Sequence, residues 1–159
     1  MALLNETRLA DEMAIRDLAQ RFTDAVNRRS PGELAALFAA DGRWDVPGVA
    51  DTVGHDAIAA RLTGLLGQFS FLVQLLHSGV VELHGDQATA RWYLTEHGRD
   101  AEGVGALFIG SYEDDLVRDG GEWRFACRRF AFLYRGRDDI PGRSYPYAGR
   151  DAVTAPPDE

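Results

Sequence analysis

The apolar residues in the first part of the chain recur with the period of an α-helix. Over about residues 9–28, at about 100° per residue, one face collects the apolar side chains of Ile15, Leu18, Ala19, Phe22 and Val26. The other face carries Asp17 with Arg21 and Asp24 with Arg28, and an acid four residues before a base is the favourable order for pairing on a helix surface. The pattern therefore predicts an amphipathic first helix packed on a core.

Two shorter helices are predicted downstream of the first. The segment "SPGELAALFAADG" offers Ser30 as N-cap, Pro31 in the first turn and Gly42 as the stop signal. "RWDVPG" then predicts a short strand or turn. A third helix is expected over about residues 56–66, followed by the apolar segment "QFSFLVQLL".

From about residue 75 the apolar period changes from that of a helix to two. Strands are predicted near residues 75–84, 87–97, 106–117 and 123–134, with Gly-Asp and Asp-Gly-Gly turns within the pairs. Helices followed by hairpins indicate an α+β fold. We expect a cone-shaped α+β barrel, in which three N-terminal helices and a curved mixed or antiparallel sheet enclose a pocket. This domain is assigned to residues 1–135, and residues 136–159, rich in Gly, Pro and charge, to a C-terminal extension that is a lid or partly disordered.

The composition of the chain excludes several classes of function and partner but does not identify one. The chain has 159 residues and a net charge of −8, which argues against nucleic acid or an anionic membrane as partner. It contains no lysine for Schiff-base chemistry, and the single Cys127 permits no internal disulfide. No secretory leader or long apolar run is recognisable, so a cytoplasmic location is expected. Motifs of zinc hydrolases, nucleotide-binding proteins and serine hydrolases are missing.

The hairpin in "VQLLHSGVVELHGDQATARWYLTEHG" places histidines where apolar residues would pack well. If Gly85 and Asp86 form the loop, His77 faces Leu94 and shares the apolar face with Trp92. An imidazole in a dry pocket can act as a general base, although a core imidazole bonded to a carbonyl or hydroxyl group fits the same pattern. His97 shares the face of Tyr93 and Thr95, so it points away from the hollow unless a bulge intervenes.

The last strand and the aromatic residues supply further candidates. Alternation sends either Arg128 or Arg129 inward, where a charge is costly unless it is paired. Asp45 could pair with that arginine, or it could be an exposed turn residue. Aromatic side chains could line the pocket or simply form core; the candidate wall residues are Phe22, Trp44, Phe71, Trp92, Tyr93, Tyr112 and Phe130.

Several segments together resemble a known superfamily. They are the first helix, "GHDAI", "LLHSG" and "GSYEDDLVRDGGEWRFACRRF", and the chain is similar to the SnoaL-like branch of the nuclear transport factor 2-like superfamily. Within that branch the pattern resembles scytalone dehydratase and hexachlorocyclohexane dehydrochlorinase. The resemblance implies elimination of water or hydrogen chloride without a metal or organic cofactor, by a histidine base that an aspartate of the first helix holds.

The resemblance also assigns roles to individual residues. His77 corresponds to the histidine base, His97 to a second pocket histidine if the hairpin is bulged, and Arg128 to an arginine that stabilises an anion or carbonyl group. Asn27 stands where the relatives have the aspartate, so the partner of His77 carries no charge. An amide there is expected to weaken catalysis, which favours a protein that only binds its ligand.

The sequence thus predicts a cofactor-independent lyase or isomerase acting on a small apolar cyclic metabolite, such as a polyketide, steroid-like or aromatic compound. Two alternatives remain open at this stage. One is a non-catalytic small-molecule binding protein that uses the same pocket, and the other is a structural subunit like the small subunits of ring-hydroxylating dioxygenases. Because an open sheet usually needs covering, a homodimer or homotrimer is expected.

Overall fold

The computed structural model describes residues 2–49, 52–138 and 141–144, so most of the predicted C-terminal extension lies outside the described residues. The predicted helices are present, and the strands are longer than their patterns indicated. The elements in chain order are α1 (Ala2–Asn27), α2 (Pro31–Ala35), β1 (Phe38–Asp45), α3 (His55–Leu66), β2 (Phe69–His84), β3 (Gln87–Asp100), β4 (Gly105–Asp119) and β5 (Glu122–Gly136).

Helix α1 has the two faces that its sequence predicts. The side chains of Ile15, Ala19 and Phe22 are completely buried. On the solvent side, Arg21 Nε lies 2.6 Å from Asp17 Oδ2, and Arg28 with Asp24 repeats the arrangement two turns later. Helix α1 therefore covers one face of the sheet with its apolar side. None of the helices that the structure describes is long and apolar enough to cross a membrane.

The five strands form one curved, unclosed sheet in the order β1-β5-β4-β3-β2. Strand β1 runs parallel to β5, and the other neighbours are antiparallel. The predicted α+β cone with a mixed sheet and N-terminal helices is therefore confirmed. The core lies between the inner face of the sheet and the helices, where Phe22 contacts the rings of Phe38, Trp44 and Tyr112 edge-on.

Strand β1 begins inside the segment that was predicted to be helical. Helix α2 ends at Ala35, and Leu37 O already accepts a hydrogen bond from Phe125 N at 3.0 Å. Gly42, predicted as the helix stop, lies within β1 at an irregular pairing with β5. A Cβ atom there would lie 2.8 Å from Ala39 O, so the close approach of the backbone requires glycine. Pairing with β5 thus overrides the local helical pattern.

Strand β2 contains a bulge that the sequence analysis did not place. The pairing of Gly79 with Trp92 is the predicted one, but the next inward pair is Leu76 with Leu94. His77 and Ser78 together span the position between these pairs, opposite Tyr93. Because one extra residue exchanges the two faces of a strand, the earlier part of β2 directs Leu76 inward and His77 outward. The predicted pairing of His77 with Leu94 is therefore wrong.

Candidate functional site

An open cavity of about 340 Å³ lies between α3, the segment after β1 and one end of the sheet. Its wall is mainly apolar, with a few polar side chains from different elements, as in many small-molecule sites. The lining residues are Trp44, Val46, Pro47, Val49, Arg61, Leu65, Gln68, Phe69, Leu72, Glu96, Phe108, Tyr112, Phe130, Phe132 and Arg135.

A chain of hydrogen bonds starting at Gln74 fixes the polar side chains at the base of this cavity. Thr23 Oγ1 donates to Gln74 Oε1 at 3.1 Å, which orients the buried amide. Gln74 Nε2 then donates to Glu96 Oε1 at 2.8 Å and to Tyr112 Oη at 3.2 Å. Since both amide protons are used, the hydroxyl proton of Tyr112 is available to an acceptor in the cavity.

Glu96 is a carboxyl group placed in an otherwise apolar part of the wall. It follows Trp92 and Leu94 on the inward face of β3, and no described cation lies within salt-bridge distance. Burial raises the pKa of Glu96 above its usual range, and the hydrogen bond from Gln74 offsets only part of this effect. The sequence analysis missed this residue, although alternation from Trp92 and Leu94 would have found it.

Tyr112 provides a neutral hydroxyl beside this carboxyl group. Burial raises the pKa of Tyr112 well above that of a free phenol, and the nearby Glu96 raises it further. The phenol therefore stays protonated throughout the physiological range and can donate a hydrogen bond. Glu96 and Tyr112 together present a titratable group and a fixed donor to one cavity, both bonded to the same Gln74 amide.

The cavity wall also contains N–H groups without a protein acceptor. Arg61 Nε, Arg61 Nη2 and Trp44 Nε1 are buried and make no hydrogen bond within the part of the chain that the structure describes. Arg61 lies on α3, and Trp44 lies on β1. Such unpaired buried donors are costly and therefore uncommon. These N–H groups are therefore the second distinctive feature of the site, after the pair of Glu96 and Tyr112.

Comparison with known proteins agrees with the fold. The profile of the SnoaL-like domain matches residues 7–129. The chain belongs to the SnoaL-like family. A search of curated proteins gives no significant sequence match.

Solved structures similar to this SnoaL-like protein include a dehydrochlorinase and a candidate dehydratase. Hexachlorocyclohexane dehydrochlorinase LinA-type3 from Novosphingobium barchaimii LL02 superposes with a TM-score of 0.82 at 20% identity, covering 89% of this chain and 99% of the other. A candidate scytalone dehydratase from Novosphingobium aromaticivorans DSM 12444 gives 0.76 at 23% identity, with 92% and 98% coverage. An NTF2-like protein from Novosphingobium aromaticivorans gives 0.73 at 25% identity, with 83% and 88% coverage. The first two likenesses establish the shared fold alone.

Neither predicted histidine lines the cavity of this SnoaL-like protein. His77 is exposed on the outward side of the bulge, where its Nε2 lies 2.7 Å from Thr95 Oγ1. His97 also lies on the outer face, as strict alternation indicates, with Nδ1 3.0 Å from Asp138 Oδ2. The expected position of His77 in the hollow is wrong because of the bulge, and the bulge that His97 would need is absent from its part of β3.

Asn27 occupies the predicted place at the end of α1 but has a different partner. Its Nδ2 donates to Gln74 O at 2.9 Å, and its Oδ1 accepts from Gln74 N at 2.7 Å. The side-chain amide therefore bonds both backbone groups of one residue on the edge strand β2. Asn27 positions Gln74 and does not contact His77.

Of the two arginines that alternation left open, Arg128 is the one that points inward, but it lies in the core and does not line the cavity. Its Nε and Nη2 each lie 2.9 Å from an oxygen of Asp114, and both side chains are completely buried. The guanidinium group also lies about 4 Å from the ring centroids of Tyr112 and Phe125. Asp45 instead bonds to Arg43 at the end of β1. Arg128 thus joins β5 to β4 through its ion pair with Asp114, and its guanidinium group packs against the ring of Tyr112.

The candidate wall residues divide between the cavity, the core and the outer face. Trp44, Tyr112 and Phe130 line the cavity as predicted. Phe22 and Trp92 are core residues, and Trp92 Nε1 donates to Asp114 Oδ2 at 2.9 Å. The remaining candidates do not line it: Phe71 pairs with Arg99 on the face opposite to Leu72, Tyr93 is exposed on the outer face, and Asp45 is at the edge.

Proposed function

We propose that this protein is a cofactor-independent lyase or isomerase acting on a small, largely apolar cyclic molecule, with Glu96 as the group that accepts and returns a proton. The observation that carries the proposal is the placement of Glu96, a carboxyl group with a raised pKa, in a mainly apolar cavity where it forms no salt bridge with a described residue. A carboxyl group in such surroundings is costly for folding, and perturbed groups of this kind are concentrated at functional sites. Membership of the SnoaL-like family supports the same reaction class.

The residues fit proton abstraction from a carbon atom next to a carbonyl group. The Glu96 carboxylate takes the proton, and the electron pair of the broken C–H bond forms a C=C bond while the carbonyl π electrons move to oxygen. Tyr112 donates a hydrogen bond to that oxygen as its charge develops. Return of the proton to a different carbon atom completes an isomerisation. In an elimination, the neighbouring leaving group departs and takes the proton back from Glu96.

The raised pKa of Glu96 makes its carboxylate a stronger base than an exposed one. A general base is most effective when its pKa lies near the working pH, and such a group typically contributes about 10²- to 10⁴-fold in rate. Gln74 holds the carboxyl group in place, and Asn27 holds the backbone of Gln74. The polar base of the cavity is therefore positioned by α1 and by the edge strand together.

The test compares Glu96→Gln with His77→Ala. Cyclic β-hydroxy ketones and cyclic β,γ-unsaturated ketones serve as substrates, because both give a conjugated enone that is followed by ultraviolet absorbance. We expect Glu96→Gln to lower kcat at least about 100-fold, while His77→Ala retains it within about tenfold because its ring lies outside the cavity. Since the carboxylate is the active form, wild-type kcat should rise with pH, with a midpoint above 4.5, the usual pKa of a glutamate.

The outcomes separate the possible bases. Full activity of Glu96→Gln, or loss of activity only in His77→Ala, would show that Glu96 is not the base. A wild-type protein that binds the ketones and never converts them would favour the second candidate, a non-catalytic binding protein. The N–H groups of Arg61 and Trp44 that lack a protein acceptor are the observation in favour of that candidate.

A further inference from the structure

The cavity contains a charged side chain that the proposed proton transfer does not use. Arg61 extends from α3 into the wall, and its Nε and Nη2 atoms are buried without an acceptor among residues 2–49, 52–138 and 141–144. A buried N–H group without a partner costs about 1 to 3 kcal/mol, and more when it is charged. An arginine in this position therefore destabilises the folded protein unless another molecule supplies the acceptor.

The two atoms without an acceptor define the chemistry of that molecule. Nε and Nη2 form one edge of the guanidinium group, with parallel N–H bonds that match the two oxygens of a carboxylate. The same protein shows this arrangement elsewhere, because Arg128 uses its Nε and Nη2 to hold Asp114 at 2.9 Å through each atom. Arg61 presents the same edge to the cavity, but no carboxylate of a described residue pairs with it.

The surroundings of Arg61 match an anion attached to an apolar ring. Trp44 adds a third buried N–H group without an acceptor among the described residues, and most of the residues that line the cavity are apolar. Arg135 also lines the cavity, but its guanidinium carbon lies 5.8 Å and 5.9 Å from the ring centroids of Phe108 and Phe132, which it contacts instead. A neutral carbonyl oxygen would leave the charge of Arg61 uncompensated, whereas a carboxylate neutralises it and can accept from both atoms of the edge.

We propose that the ligand of this cavity is a cyclic carboxylate, bound side-on by Arg61 with the indole N–H group of Trp44 as an additional donor. This inference adds a substrate class to the proposed function, and it rests on that proposal only in taking this cavity as the functional site. The carboxylate is a binding group distinct from the ketone at which Glu96 and Tyr112 act. The substrate class is accordingly a cyclic keto acid with a largely apolar ring system.

The test measures binding without turnover. Isothermal titration calorimetry on the full chain compares 2-naphthoate with 2-acetylnaphthalene, which has the same rings and a neutral carbonyl group. We expect wild-type protein to bind 2-naphthoate at least about tenfold more tightly, which corresponds to a single good charge-assisted interaction. Arg61→Met should reduce this preference to about twofold or less, and Arg61→Lys should retain only part of it because a lysine lacks the two-pronged edge.

Control variants separate a specific contact from general effects. Arg135→Met should keep most of the preference, which distinguishes the Arg61 contact from nonspecific positive charge. Trp44→Phe should weaken 2-naphthoate binding several-fold while leaving 2-acetylnaphthalene binding nearly unchanged. In the absence of a ligand, Arg61→Met should unfold at a temperature at least as high as wild type, because it removes donors that have no acceptor in the protein.

Different results overturn different parts of the interpretation. Equal binding of the two probes by wild type, or an undiminished preference in Arg61→Met, would refute the carboxylate assignment. Glu96→Gln should keep the preference for 2-naphthoate, so this assignment can hold when the proton-transfer assignment fails. A preference that is lost in Arg135→Met but kept in Arg61→Met would move the anion to the Arg135 part of the lining and would also refute the proposal.

Discussion

At the scale of single residues, Asn27 has a role that its sequence position did not reveal. The resemblance to dehydratases places it as the partner of a histidine, but its amide bonds the backbone N–H and C=O groups of Gln74. Strand β2 is at the edge of the sheet, so these two groups have no strand neighbour on that side. An amide can satisfy both, since it carries one donor and one acceptor. An aspartate could accept from Gln74 N but would face Gln74 O without a donor.

We therefore predict that Asn27→Asp destabilises the protein and does not create a better catalyst. The loss of one bond and the approach of a carboxylate to a carbonyl oxygen should lower the free energy of unfolding by about 1 to 3 kcal/mol. Urea unfolding followed by circular dichroism measures this change. Asp24→Asn, an exposed change of the same size one turn earlier, should stay within about 0.5 kcal/mol of wild type. Equal effects of the two substitutions would contradict the bonding role of Asn27.

At the scale of elements, the sequence correctly predicts the features that depend on hydrophobic periodicity. It fails where one extra residue in a strand shifts that periodicity. The buried face of α1, the hairpin turns and one inward arginine at position 128 or 129 follow from local periodicity. The bulge at His77 and Ser78 does not, because both strict and bulged pairings satisfy the turn at Gly85. Glu96 was missed for another reason, because the resemblance assigns roles to histidines and none to an acid at this position of β3. Which residues of β2 face the cavity therefore depends on tertiary contacts, and so does the set of residues that forms the site.

Just after the bulge, Gly79 fixes how β2 and β3 meet. A Cβ atom at this position would lie 2.1 Å from Cε3 of Trp92, whose indole is held by Asp114. We predict that Gly79→Ala lowers the free energy of unfolding by about 2 kcal/mol or more, because the ring cannot move away without losing that hydrogen bond. Thermal and urea unfolding measure the effect.

Gly64 on α3 provides the matched control for this substitution. Nothing lies within 4 Å of a Cβ atom there, so Gly64→Ala should stabilise the protein by up to about 1 kcal/mol through helix propensity. A Gly79→Ala variant as stable as wild type would show that the indole is free to shift.

At the scale of the whole molecule, the outer face of the sheet carries more apolar surface than a solvated face needs. Leu75, Thr95, Ile109 and Tyr134 are paired in one row across four strands. Leu75, Ile109 and Tyr134 are exposed to 46%, 37% and 49%. Exposed apolar patches of this kind often mark interfaces. The homodimer or homotrimer expected from the sequence remains a prediction, and this row is the surface on which we expect a second copy to pack.

We predict that Ile109→Lys reduces the mass of the assembly measured by light scattering after size-exclusion chromatography. A charge at the centre of the row should be costly to bury against another copy. Met13→Lys, at an equally apolar and more exposed position on α1, should leave the mass unchanged. A wild-type protein that is monomeric at high concentration, or an Ile109→Lys variant with unchanged mass, would contradict this assignment of the interface.

The parallel pairing of β1 with β5 has a consequence for protein synthesis. Among the described strands, β1, which carries Trp44, pairs only with β5, the last of them in chain order. At about 5 to 20 residues per second, translation separates the two strands by several seconds or more. A nascent chain that has not reached Glu122 therefore displays one wall of the cavity without its support, and the ligand can meet a complete binding site only after the final hairpin has closed.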